Sequence, residues 1–128
     1  MVFIDDLLGV AYKAGGRTKA GYDCYGLVIE VLKRFGFDMS DLFSDYSKEK
    51  SEMLIANEYH CVINKDKLVK KEQADEGDIL LFFDDRGRAC HIGVYLTSDK
   101  FIHCDSLGVR ITKFSTYYKK AEVYSWHK

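Results

Sequence analysis

The feature that most constrains this chain is a change of hydrophobic period at Asp78. Before it, the clearest pattern is helical: Leu27, Val28, Val31, Leu32 and Phe35 recur on one stripe. After it, short apolar runs bounded by polar or glycine-containing segments read as strands: Ile79 to Phe83, His91 to Leu96, Phe101 to Cys104, Val109 to Thr112 and Ala121 to Trp126. Helices first and antiparallel strands second predict an α+β domain, with N-terminal helices packed on a C-terminal sheet. The 128 residues fit one domain, 1–128.

Proline is absent, so boundaries are read from glycines and polar clusters. Residues 4–13 read as a short helix with Ile4, Leu7, Leu8 and Ala11 on one side. Gly15-Gly16 to Gly21 reads as a loop. Asp23 has the chemistry of an N-cap, Cys24 opens the helix that runs to about Phe35, and Gly36 is its stop. Residues 38–60 read as one or two helices, and residues 61–76 are charged and ambiguous.

The 19 basic and 20 acidic residues exclude a large phosphate-binding surface, so no nucleic-acid partner is expected. No apolar run is long enough to span a membrane. The acidic start, Met1 to Asp6, has no basic region leading into an apolar one, so the expected place of synthesis is the cytoplasm. In that compartment Cys24, Cys61, Cys90 and Cys104 are expected as thiols.

Cys24 is where thiolate chemistry is favoured. A helix N-terminus stabilises negative charge on sulfur, and its free N–H groups can also hold an oxyanion. Such a nucleophile needs a base, and the base needs an orienting partner. His91 and His103 lie on successive strands. With a three-residue loop, Thr97 to Asp99, Gly93 faces His103, and both histidines fall on one sheet face. A four-residue loop would separate them. Cys90, Ile92, Ile102 and Cys104 then point the other way. Zinc is disfavoured, because an adjacent Cys-His pair on a strand cannot easily aim both groups at one ion. Neither metal nor cofactor is expected, and His60 and His127 read as surface residues. Asp78 reads as a turn residue.

Several segments, in order, carry a resemblance: Tyr12-Lys13-Ala14-Gly15-Gly16, Gly21-Tyr22-Asp23-Cys24-Tyr25-Gly26-Leu27-Val28, Gly77-Asp78-Ile79-Leu80, His91 to Leu96, Phe101-Ile102-His103 and Gly108-Val109. From about Ile4 to Thr112 the chain resembles the NlpC family of papain-like cell-wall cysteine peptidases. The resemblance implies Cys24 as nucleophile, His91 as general base and His103 as third polar member. It places Tyr12 near the thiol, where with the cap Asp23 it borders the oxyanion and substrate site. An open groove beside Cys24, bordered by Tyr12 and the loop 15–21, is expected to take the substrate. The implied substrate is a peptidoglycan stem peptide, cut at a γ-D-glutamyl bond to a diamino acid. Tyr25 stands where wall hydrolases usually have serine, which resembles the phage tail-associated branch. That implies phage tail proteins as partners and a virion tail or the cell wall as destination. Glu76 stands in place of a usual proline, and Ala14 in place of a common aromatic. Two rival readings share the fold: a tail assembly protein that uses it as scaffold, and an acyltransferase or thioesterase.

Overall fold

The computed structural model describes residues 2–38 and 68–126. The helices expected over 38–60 fall almost wholly outside the described residues, as do Cys61, His60 and His127. In chain order the elements are β1 (Arg17–Thr18), β2 (Gly21–Tyr22), α1 (Cys24–Arg34), β3 (Leu68–Lys71), β4 (Ile79–Phe83), β5 (Ala89–Tyr95), β6 (Lys100–Asp105), β7 (Gly108–Lys113) and β8 (Lys120–Trp126). Strands β1 and β2 form a small hairpin. The other six make one sheet in the order β3-β8-β4-β5-β6-β7, every neighbouring pair antiparallel.

The five strands expected from Ile79 onward are all present: the first matches outright, the second starts two residues earlier and ends one earlier, and the other three extend by one residue at one or both ends. β4 lies inside the sheet between β8 and β5, which explains why its sequence is apolar without alternation. Ile79 and Leu81 join the core shared with α1, while Leu80 and Phe82 join a second core on the reverse face with Phe101 and Val123. Of the segment 61–76, residues 61–67 lie outside the described residues; the rest includes β3, an edge strand, where Lys70 and Lys71 cost little and blunt the unpaired edge.

Among the described residues α1 is the one α-helix, so the expected plural N-terminal helices are not borne out there. Residues 4–13 form only a 3-10 turn, Asp5–Leu7. Gly9 then takes φ 85, and the backbone runs beside β7: Gly9 N–H donates to the Val109 carbonyl at 2.9 Å, and Val109 N–H to the Val10 carbonyl at 2.9 Å. Those two bonds satisfy backbone groups that a helix would otherwise have taken up. α1 ends as its sequence implies. Gly36 has φ 92, and Phe37 N–H reaches back to the Leu32 carbonyl at 2.9 Å, a Schellman closure. Leu27, Val28, Val31 and Leu32 are each at most 1% exposed and press α1 onto β5 and β6, burial worth about 2 kcal/mol per side chain.

Candidate active site

Asp23 is the N-cap of α1 and more. One carboxylate oxygen accepts from Gly26 N–H at 2.7 Å and from Arg17 Nη1 at 2.8 Å, and the other accepts from Gly15 N–H at 3.1 Å. The buried carboxylate thus ties the loop 15–21 to the first turn of the helix. Close approach makes the fit tight: a Cβ on Gly26 would lie 2.1 Å from the Gly16 carbonyl oxygen. Cys24 is the first helical residue, at the positive end of the helix dipole. It is wholly buried, so the expected open groove beside it is corrected to a covered thiol. Tyr12 is held next door by a bridge to Tyr22, two residues before Cys24, and Lys13 N–H donates to the Tyr22 carbonyl at 2.9 Å. Tyr25 is buried beneath the Arg17 guanidinium, 5.3 Å from its ring.

The histidines arrive by strand register. Val94 pairs with Ile102 and Tyr95 with Phe101, and Leu96 N–H bonds the Lys100 carbonyl at 2.8 Å, so the loop is the three residues Thr97 to Asp99. Ser98 and Asp99 adopt positive φ values of 57 and 62 to make that turn. Continued inward, the register sets Gly93 opposite His103. A Cβ on Gly93 would lie 3.3 Å from the His103 Cβ. His91 and His103 therefore share a face as diagonal neighbours, and His91 Nε2 lies 2.7 Å from His103 Nδ1. His103 Nε2 lies 2.8 Å from Thr112 Oγ1 on β7.

The pair projects from the reverse face of the sheet, not from the face that the α1 stripe covers. Ile92, Ile102 and Cys104 belong to the helix-side core, as expected. The His103 ring sits 4.5 Å from Phe101 and 5.6 Å from Tyr117, and His91 sits 5.8 Å from Phe82. Burial in this aromatic setting pushes His91 down to about 3, with the neighbouring His103 and then Lys119 adding to the effect. His103 is pushed down to about 4 by burial, while Asp105 pulls in the opposite direction. Both rings are neutral at pH 7, the form in which a histidine can accept a proton.

Among the described residues the other thiols are Cys90 and Cys104. Cys104 is buried and donates to the Tyr22 carbonyl at 3.1 Å. Cys90 is the extra residue of a bulge between Phe82 and Phe83, opposite Ala89 to His91. It is half-buried and does not join Ile92, Ile102 and Cys104 in the helix-side core, and burial raises its thiol pKa. Nothing in the sequence announces the bulge. Asp78 fixes the turn before β4: it accepts from Asp75 N–H at 2.7 Å and pairs with Lys71 at 2.7 Å. Among the described residues no three His, Cys, Asp or Glu side chains gather as a metal set, and no helix is long and apolar enough to cross a membrane. Thr112 and Lys119 escaped the sequence reading, because only the β6–β7 pairing and the β7–β8 connection bring them to the histidines.

Comparison with known proteins agrees with this architecture. Residues 9–127 match the model of the NlpC/P60 family. Murein DD-endopeptidase MepS/Murein LD-carboxypeptidase of Escherichia coli K12 is 34% identical over 119 residues, which cover 90% of this chain and 54% of that protein. Probable peptidoglycan endopeptidase LytE of Bacillus subtilis is 30% identical over 115 residues, covering 89% of this chain and 29% of its own length. The chain thus spans about half or less of these relatives. In fold it is similar to the NlpC/p60 domain of the peptidoglycan hydrolase SagA, with a TM-score of 0.60 at 21% identity, covering 92% of this chain and 89% of that one. With a capped helix opening on Cys24, a hairpin that joins His91 to His103, and a family match over nearly its whole length, the chain belongs to the NlpC/P60 family.

Proposed function

We propose that this chain is a cysteine peptidase that hydrolyses an amide bond in peptidoglycan stem peptides, with Cys24 as nucleophile, His91 as general base and His103 as its orienting partner. The observation that carries the reading is the His91–His103 contact at 2.7 Å, because it commits His91 Nε2 and leaves Nδ1 as the nitrogen for a thiol. α1 and the histidine rings flank β5 on opposite faces, and His91 lies at the bulged beginning of that strand. In this reading the sulfur meets His91 around the beginning of β5 and not across the sheet. A crystal structure with Cys24 Sγ within about 4 Å of His91 Nδ1 supports the pairing. A sulfur held beyond reach with substrate bound contradicts it.

The chemistry follows. His91 Nδ1 takes the thiol proton, and the sulfur attacks the carbonyl carbon. The backbone N–H of Cys24, joined by Tyr12, holds the oxyanion. His91 returns the proton to the leaving amine, which departs as the thioester forms. The imidazole then takes a proton from water, whose oxygen attacks the thioester and releases Cys24 as thiol. Asp23 acts indirectly, by holding the first turn and the loop 15–21 in place. The buried surroundings of His91 favour its neutral imidazole, the form that can take the thiol proton.

The proposed bond is that between γ-D-glutamate and a diamino acid. The proposed setting is a phage or prophage tail, reached from the cytoplasm and acting at the cell wall; it rests on Tyr25 after the nucleophile. Digestion of purified peptidoglycan with mass analysis of the fragments tests the function. New fragments ending in γ-D-glutamate are expected from the unaltered protein and not from Cys24→Ala. Fragments cut at a D,D bond would move the specificity towards what the name of MepS describes, and intact peptidoglycan would overturn the peptidase reading.

A further inference from the structure

We infer that Thr112 is a positioning residue for the histidine pair: its hydroxyl accepts the His103 Nε2–H and so sets the tautomer of both rings. The β6–β7 register pairs Phe101 with Thr112 and His103 with Arg110, which makes Thr112 the diagonal neighbour of His103 on the same face. Its Oγ1 lies 2.8 Å from His103 Nε2 and is half-buried. The flanking surfaces of His103 are the rings of Phe101 and Tyr117, which are poor acceptors for an N–H in its plane.

Three groups in a row, His91, His103 and Thr112, allow two self-consistent proton patterns. In one, His91 Nε2–H donates to His103 Nδ1 and His103 Nε2–H donates to Thr112, leaving His91 Nδ1 without a proton. In the other every hydrogen bond is reversed: Thr112 donates, His103 carries its proton on Nδ1, and His91 carries its proton on Nδ1. Only the first lets His91 Nδ1 accept from the thiol, so the inference rests on the peptidase reading above. A hydroxyl can serve either pattern, but a methyl group cannot accept. Replacing Thr112 by valine therefore removes the acceptor that holds the productive tautomer, and the proton on His103 moves to Nδ1. No proton travels to Thr112 in the reaction. Its part is to keep the two rings in one orientation and one protonation pattern. The other ionisable groups around the pair are Asp105 and Arg110, which bond each other at 2.5 Å, together with Lys119 and Tyr117.

Nitrogen-15 spectra of histidine-labelled protein at pH 7 test this directly, because protonated and unprotonated ring nitrogens resonate far apart. The expected wild-type result is protonated Nε2 and unprotonated Nδ1 on both His91 and His103. Thr112→Val should move the His103 proton to Nδ1 and lower kcat about tenfold or more with KM little changed, while Thr112→Ser should restore both spectrum and rate. A wild-type His103 protonated on Nδ1, or a Thr112→Val spectrum like the wild type, would overturn the inference. If the valine variant does not fold, the wild-type spectrum decides. The same spectrum can be recorded on Cys24→Ala, which separates this inference from the identity of the nucleophile.

Discussion

At the scale of single residues, one buried carboxylate, Asp23, holds the first turn of α1 and the loop before it through Gly26, Arg17 and Gly15. A cap followed by a cysteine is readable because Asp23 bonds Gly26, three positions on. The extra bonds of Asp23 to Gly15 and Arg17 are not readable, since they depend on how the loop 15–21 folds back. Asp23→Ala is therefore expected to cost more than an ordinary cap, about 2 kcal/mol or above, in urea unfolding. A loss under about 1 kcal/mol would mean the carboxylate is not the tie described. Gly26 offers a sign test. In an open helix Gly→Ala stabilises by about 1 kcal/mol. Here the new Cβ would collide with the Gly16 carbonyl, so Gly26→Ala should lower the melting temperature and weaken activity. Cys24→Ala should leave the fold intact and abolish hydrolysis. Cys90→Ala should retain activity, and Cys104→Ala should retain it at some cost in stability from its buried thiol. Thr112 shows where single-residue reading fails: its link to His103 exists only after β6 and β7 are in register.

The hairpin β5–β6 is the element on which the site depends. Its register follows from loop length, and the odd loop inferred from the histidine positions is the one observed. This makes a sharp prediction. One glycine inserted between Ser98 and Asp99 should turn His103 towards the helix-side core, or else be absorbed in a longer loop that keeps the old register. Activity falls by several orders of magnitude in the first case and is nearly unchanged in the second, and backbone chemical shifts of β6 distinguish the two. The other elements were legible in proportion to their burial. β4 to β8 announce themselves through apolar runs. β3 does not, because it is a short edge strand with two lysines in its four residues. The segment 4–13 misled for a related reason: a helical spacing of Ile4, Leu7, Leu8 and Ala11 was outweighed by Gly9 and by backbone pairing with β7.

For the whole molecule, burying two neutral histidines links stability to pH. Each titrates near 6.5 when unfolded, and the fold lowers His91 to about 3 and His103 to about 4. Between those values the unfolded chain binds more protons, so stability falls as pH falls from 6.5 towards 4. Per histidine the loss is up to about 1 kcal/mol for each unit. The carboxylates of Asp84 and Asp105, held below their usual range by Arg88 contacts and by Arg110 against the opposing effect of burial, add their own loss only at more acid pH. Urea midpoints measured from pH 7 to pH 4 should decline, and His91→Gln with His103→Asn should flatten the upper part of that decline. A flat wild-type profile over this range would contradict the burial of the pair.

The central claim is that Cys24 carries the acyl group during turnover, and the acyl-enzyme can be weighed. Protein mixed with a purified stem peptide and quenched in acid within the first turnovers should gain the mass of the acyl fragment. Digestion should place that mass on the peptide containing Cys24, and the adduct should be absent from Cys24→Ala. Turnover with the adduct on Cys90 or Cys104, or persisting in Cys24→Ala, would contradict the account.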